Sequence, residues 1–281
     1  MTKQELLGHL EVLSKKTNQE WLAALNQRKL EEITFHNRDR DKAFLESAPK
    51  DVFNKLQGNK KFYHTVELSS CYTENWIKDH CRDKIFLDYA CGNGLNAIRA
   101  AKAGAALAIG VDLSNISIAN AKAMAEKEGL SENTFFIQGD CENTGLPDGC
   151  IDVCLCSGML HHLDLSYAFY ELRRILSANG GIILCIEALN YNPLIKLYRK
   201  MTPLMRTQWE RENILSYRDI SFAKRFFVVK NIKHWHLFSI LSVYLPFALP
   251  LLNAIDKIVL KLPLIKLMSW MFTFELCQKK R

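Results

Sequence analysis

Between residues 84 and 186 the chain alternates short β-rich runs with helix-length segments, and this alternation constrains its fold more than any other feature. The runs are residues 85–89, 107–111, 134–137, 151–156 and 182–186, and the helical segments between them cover 95–102, 114–128 and 165–176. Short apolar runs flanked by turn residues read as strands, and strand–helix–strand repeats require right-handed crossovers within a parallel sheet covered on both faces. Ser114 is placed to cap a helix. Gly104, Gly129 and Gly180 are placed where a left-handed residue ends one.

The first 62 residues have a different pattern. Leu6, Leu7, Leu10 and Leu13 recur at helical steps and Trp21, Leu22 and Leu25 resume the stripe, so residues 1–62 are expected to form a helical cap, with the main domain covering 63–281. A chain of 281 residues, 48% of them hydrophobic, suits one substantial core with additions rather than several independent units. No basic start leads into an uninterrupted apolar run of the kind a secretory signal needs, so a cytoplasmic location is expected. Nine cysteines are scattered, several within strand runs such as 150–156, and are expected to be free and mostly buried thiols. None has zinc-site spacing, and no metal is expected.

The formal charge of +7 is concentrated. Between Lys196 and Lys233 ten basic residues face three acids, an excess of seven that equals the whole net charge. A local basic field beside an apolar segment suits an anionic partner: a membrane surface, a phosphate group or nucleic acid.

The first strand ends at Asp88 and runs into Tyr89-Ala90-Cys91-Gly92-Asn93-Gly94, then a helix. Two glycines one residue apart let the backbone turn tightly against a ligand at a positive helix end. Alone, Gly92-x-Gly94-x-x-Ala97 also fits the dinucleotide fingerprint. Three acids supply context. Asp112 closes the second strand and suits both hydroxyls of a ribose, in NAD as in other adenosyl cofactors. Asp140 suits the exocyclic amine of adenine. Asp88 stands where a cationic amino group would be welcome and a pyrophosphate repelled.

These residues resemble the class I S-adenosylmethionine (SAM) dependent methyltransferases. Residues 87–94 look like that family's first motif, 111–114 its second, 139–140 its third and 152–163 its fourth. The resemblance spans roughly residues 60 to 190 and departs at Ala90-Cys91, where Gly-Cys is more usual. It implies an α/β, Rossmann-like seven-stranded sheet, mostly parallel, with helices on both faces. It also implies SAM as cofactor, bordered by Tyr63, Asp88, Ala90, Gly92, Gly94, Asp112, Leu113, Asp140, Cys141 and Ser157. Trp76 is a second aromatic expected either to close over SAM or to pack in the core.

His161, His162 and Glu187 follow the fourth and fifth strands on the edge facing cofactor and acceptor, and are the candidate catalytic bases. Methylation by alignment alone is the competing reading. Further on, a strand is expected over 227–231, prolonged towards 237, and a last antiparallel strand over 271–277. Residues 188–224 and 237–269 are then insertions forming a lid. Residues 237–255 carry no charge, yet Pro246, Pro250, Ser239, Ser242 and Asn253 interrupt them. Three readings stay open: two amphipathic helices in a membrane interface with Lys257, Lys261 and Lys266 at the headgroups, a spanning helix, or an apolar cap over a substrate pocket or dimer contact. The expected function is methyl transfer from SAM to a small or lipid-like acceptor, with peripheral membrane docking. Its alternatives are an RNA methyltransferase, disfavoured because no RNA-binding module accompanies the basic window, and a non-catalytic SAM-fold protein at a membrane.

Overall fold

The computed structural model of the chain describes residues 2–41, 46, 49 and 58–279, with the Asp39 side chain left out. The expected helical cap therefore lies partly outside the described residues. Its described part holds helices α1 (Lys3–Ser14), α2 (Asn18–Ala23) and α3 (Gln27–Arg40). Capping explains why these segments start where they do. Thr2 and Thr17 each accept from the backbone N–H three residues on, and Glu5 and Glu20 return the bond, while Asn26 accepts from Lys29 N–H.

After α4 (Glu67–His80) the chain builds β1 (Ile85–Tyr89), α5 (Leu95–Lys102), β2 (Leu107–Asp112), α6 (Asn115–Lys127), β3 (Thr134–Gln138), β4 (Val153–Ser157), α7 (Leu165–Ile175) and β5 (Ile182–Ala188). The strands form one seven-stranded sheet in the order β3-β2-β1-β4-β5-β7-β6. All pairs up to β4–β5 are parallel, and β7 (Met271–Gln278) joins antiparallel to both β5 and β6 (Phe227–Trp235). The order reverses beside β1, so the carboxyl ends of β1, β2 and β4 face a common crevice, where open α/β sheets hold ligands.

The two faces of the sheet are covered by different helices. Leu6 and Leu10 of α1 join Phe169 and Leu172 of α7 and Ile220 of α10 (Tyr217–Ala223) on one face. Trp76 and Ile77 of α4, Ala97 and Ile98 of α5 and Ala121 of α6 cover the other. Trp76 is core: it is buried and donates to Glu275 Oε1 at 3.1 Å, away from the crevice. All nine cysteines are unpaired thiols, seven of them buried.

One expectation needed adjustment. Gly180 does not terminate a helix, because α7 ends at Ile175 with an extended Leu176, and Gly180 makes a separate left-handed turn before β5. The strand expected from 227 is prolonged as expected, as far as Trp235, because a bulge between Lys230 and Lys233, with Asn231 left-handed, absorbs the mismatch and lets pairing with β7 resume.

The first insertion folds as α8 (Pro193–Met201), α9 (Gln208–Glu212) and α10. Asn192 caps α8 by accepting from Leu194 and Ile195 N–H, and ties it to the second insertion by donating to Met268 O at 2.7 Å. The second insertion is a series of short turns around a single helix, α11 (Leu249–Val259), which carries Pro250 harmlessly in its first turn. Its one acid, Asp256, is buried and accepts from the backbone N–H groups of Leu237, Phe238 and Ser239 at 2.8 to 3.1 Å. That carboxylate pins the start of the insertion to its helix. None of the described helices is long and apolar enough to cross a membrane.

Candidate functional site

The glycine turn after β1 is held by the end of β2. Asp112 Oδ2 accepts from Gly92 N–H at 2.8 Å and Oδ1 from Ser114 N–H at 2.9 Å, so one carboxylate joins two loops. Gly94 has φ +79° and opens α5, and a Cβ there would stand 2.7 Å from both the Ala121 methyl and the Phe136 ring. Only glycine allows the turn to pack so closely. Ala90 is also left-handed, at φ +55°, a conformation that costs an L-residue about 1–2 kcal/mol. The turn demands glycine-like backbone where this chain has a methyl group.

Asp88 is fully buried beneath the turn and accepts from Ala97 N–H at 3.1 Å. Burial pushes its carboxyl up to about 7, against the lowering effect of the Ala97 and Asn96 hydrogen bonds, and the Asp112 charge pushes the same way as burial.

Two cavities meet over the carboxyl edge of the sheet. The smaller, about 140 Å³, is walled by Ala90, Asp112, Leu113, Cys141 and Ser157 together with α3. The larger, about 1100 Å³, runs from Ser157 and His161 between α8 and the second insertion. Ser157, Gly158, His36 and His162 border both. Five of the ten expected cofactor residues thus wall the smaller cavity. Asp88, Gly92 and Gly94 lie off its walls, in and under the turn, and Asp140 is reached through Lys29. Tyr63 is placed elsewhere, in the wall of the larger cavity, with its ring 5.5 Å from Trp270.

The motifs give no sign of the part played by α3. Its cations reach the acids that end β2 and follow β3: Lys29 Nζ stands 2.6 Å from Asp140 Oδ2 and 2.8 Å from Glu142 Oε2, and Arg28 pairs with Glu142. Arg40 Nη1 donates to Asp112 Oδ1 at 3.2 Å and to Ser117 Oγ at 2.8 Å. The only cue was a run of basic residues in an otherwise polar helix. Glu32 of α3 adds a second cluster. Its Oε2 lies 2.9 Å from His162 Nδ1 and 3.5 Å from His36 Nε2, while Thr207 donates to Oε1. Burial resists ionisation of Glu32, but the bonds from His162 and His36 outweigh it and hold the carboxyl well below its usual range. Burial lowers His36 to about 4, so it is neutral at physiological pH. The ligand atoms of the three lie within 4.8 Å of one another, but each is already engaged by its neighbours.

His161 and Glu187 form the other polar centre. His161 Nδ1 lies 2.6 Å from Glu187 Oε2, and Glu187 Oε1 accepts from Met159 and Leu160 N–H at 2.8 and 2.7 Å. Both side chains are buried. Three bonds fix the carboxylate, and the carboxylate fixes the ring, leaving Nε2 without a partner among the described residues and His161 on the wall of the larger cavity. A carboxylate on Nδ1–H leaves Nε2 as a proton acceptor. The three residues expected to be catalytic are thus brought together, with Glu187 positioning His161 and His162 bonded instead to Glu32.

An adenosyl group with a cationic amino-acid tail fits this edge by its chemistry. Asp112 offers an acceptor for vicinal hydroxyls, Gly158 is left-handed with nothing within 4 Å of an added Cβ, and a Cβ on Gly92 would meet only the Arg40 guanidinium, at 3.6 Å. Arg40 already donates to Asp112 Oδ1 at 3.2 Å, so its side chain must leave that oxygen for a ribose hydroxyl to take its place.

Comparison with known proteins agrees with this arrangement. The family described as Methyltransferase domain matches residues 87–184. Protein arginine N-methyltransferase 1 of Saccharomyces cerevisiae is 40% identical over 86 residues, which cover 31% of this chain and 24% of the yeast protein. A sterol 24-C-methyltransferase of Gibberella zeae is 34% identical over 95 residues, covering 34% of this chain and 25% of that protein. The chain thus spans about a quarter of the length of these curated relatives. Among solved structures, geranyl diphosphate C-methyltransferase from Streptomyces coelicolor A3(2), in complex with Mg2+, geranyl diphosphate and S-adenosyl-L-homocysteine, superimposes with a TM-score of 0.55 over 76% of this chain and 81% of its own. At 16% identity that likeness concerns the fold alone.

Proposed function

Residues 87–184 form a methyltransferase domain of the SAM-dependent, Rossmann-like class, and on that premise we propose that the protein moves a methyl group from SAM to a hydrophobic or lipid-like acceptor at a membrane surface. When bound, SAM supplies an electrophilic methyl on a sulfonium. Asp112 would hold the ribose, and Ala90, Leu113 and Cys141 would line the adenosyl subsite. The acceptor would lie in the larger cavity, with Ser157 and Gly158, which border both cavities, between it and the cofactor. His161 Nε2 takes the proton released by the acceptor, and Glu187 holds the ring in the tautomer that can do so.

One observation carries this reading: a buried histidine, His161, held by Glu187 behind it, stands on the wall of a cavity of about 1100 Å³ that shares a border with the proposed cofactor subsite. Phe62, Ile195, Tyr198, Phe238, Ile240 and Trp270 among its lining residues favour an apolar acceptor over a nucleotide or a peptide.

Membrane docking is supported by the surface around that cavity. Leu194 and Leu241 line it and are exposed, and beyond them Met201, Leu204, Phe247, Leu251, Ile258 and Leu264 are exposed as well. Phe247 is 83% exposed and Leu264 79%, more than scattered surface apolar residues explain. Lys196, Lys200, Lys257 and Lys261, all exposed, flank them and complement anionic headgroups.

The test is transfer of labelled methyl from SAM into the organic-extractable fraction of a total lipid extract. The wild type is expected to label it and His161→Ala to do so at least about a hundredfold more slowly, the scale of a lost general base. Label appearing only in protein or RNA would overturn the hydrophobic acceptor, and an unaffected His161→Ala would remove the base.

A further inference from the structure

The larger cavity contains a cation without a counterpart. Arg199, in the last turn of α8, is 9% exposed and lines the cavity. Its Nη1 is buried without a hydrogen-bond partner, and none of its side-chain nitrogens is bonded to a described residue. The nearby charges do not neutralise it. Arg206 adds a second guanidinium, whose Nη1 donates to Thr202 Oγ1 at 3.0 Å and whose Nε faces Glu210 Oε1 at 3.4 Å. Glu210 is thus engaged by Arg206 and makes no ion pair with Arg199. At this end of the cavity two guanidiniums against one carboxylate leave one excess positive charge; of the other lining cations, Lys60 is exposed and Arg99 pairs with Glu74 at 2.6 Å. Burial and the Arg206 charge together push Arg199 down to about 10, so it keeps its proton at neutral pH.

A buried guanidinium without a partner is among the costliest groups a fold can retain, since it loses hydration and gains nothing in return. An apolar side chain of similar length would pack there at less cost. A guanidinium is also the side chain that best matches the planar, two-oxygen face of a carboxylate or phosphate. Around it the wall is apolar: Phe62 meets Tyr198 edge-on, with Leu194, Ile195 and Trp270 nearby.

We propose that the acceptor carries an oxyanion, a carboxylate or phosphate, which pairs with Arg199 while its apolar body fills the rest of the cavity. This rests on the methyltransferase reading and specifies its substrate class: an amphiphile bound by its acidic end some distance from His161. Arg199 then selects and orients the acceptor and has no part in moving the proton. It also explains why Arg199 of the basic window of residues 196–233 is buried, beside Arg206 on the same cavity wall, while Lys196 and Lys200 on its helix stay in solvent.

The experiment is calorimetric titration of the full chain with oleate, oleyl phosphate and oleyl alcohol, which share a chain and differ in the head. Wild type, Arg199→Lys and Arg199→Met are compared, and each preparation is also titrated with S-adenosylhomocysteine. The wild type is expected to prefer at least one anionic probe by about tenfold or more over the alcohol. Whichever of the two binds tighter identifies the source of the oxyanion. Arg199→Lys should keep part of the preference. Arg199→Met should bind all three alike and melt at a higher temperature than wild type, because a buried unpaired charge is gone. Equal binding of the three probes by wild type, binding of none, or a preference that survives in Arg199→Met overturns the proposal. Retained S-adenosylhomocysteine binding confines that failure to the acceptor, whereas its loss in folded wild type fails the methyltransferase reading itself.

Discussion

Arg40 and Asp112, 72 residues apart in sequence, meet at 3.2 Å over the end of β2, so the carboxylate assigned to the cofactor's ribose is already occupied by a cation of the N-terminal segment. The same carboxylate holds Gly92 and Ser114, whose bonds use lone pairs that the ribose does not need. A ribose held by Asp112, as proposed, would compete with Arg40 for one face of that carboxylate.

Removing that competitor should favour the cofactor. Arg40→Ala is expected to tighten S-adenosylhomocysteine binding roughly two- to tenfold, the scale of one partly exposed charge-assisted bond. Calorimetry checks it. A weakening instead would mean that Arg40 touches the cofactor rather than displacing it.

Asp88 makes stability depend on pH in a stated direction. Its carboxyl is pushed up to about 7 in the fold, mainly by burial, from the 3.8 of an ordinary aspartate. Between these values the folded protein keeps a proton that the unfolded chain has released, so stability falls as pH rises from about 4 to 7 and is level above. Asp88→Asn cannot ionise. It should match wild type near pH 4 and exceed it at pH 8 by on the order of a few kcal/mol, read by denaturant unfolding at both pH values. A variant equally destabilised at both would show that the carboxylate's bond to Ala97 matters more than its charge.

The exposed apolar rim predicts vesicle binding. The wild type should co-sediment with vesicles containing phosphatidylserine, less so as salt is raised. Phe247→Asp combined with Leu264→Asp should abolish this without changing the melting temperature, since both side chains lie in solvent. Undiminished sedimentation of that double variant would remove the membrane from the account.

Much of this is legible in the sequence, and the residues show why. Periodicity and punctuation are local, so β1 and α5 fall at the expected residues and Ser114 caps α6 as expected. The motif acids were legible because a parallel sheet brings all its strand ends to one edge. Contacts made across long stretches of sequence were not. Lys29 reaching Asp140, and Asp256 gathering three N–H groups, depend on how helices dock, which no spacing reveals. A lone acid in an apolar insertion was the one available hint of the latter. The basic window was visible as a sum of charge, but burial singles out Arg199 within it, and burial is a property of the fold.

The most direct measurement is calorimetric titration of the purified protein with S-adenosylhomocysteine, with NAD as control and Asp112→Ala alongside. The account predicts saturable binding of S-adenosylhomocysteine, no heat from NAD, and a loss of about tenfold or more in Asp112→Ala, as removal of a carboxylate acceptor for two hydroxyls implies. Folded protein that binds NAD, or binds neither ligand, would contradict it.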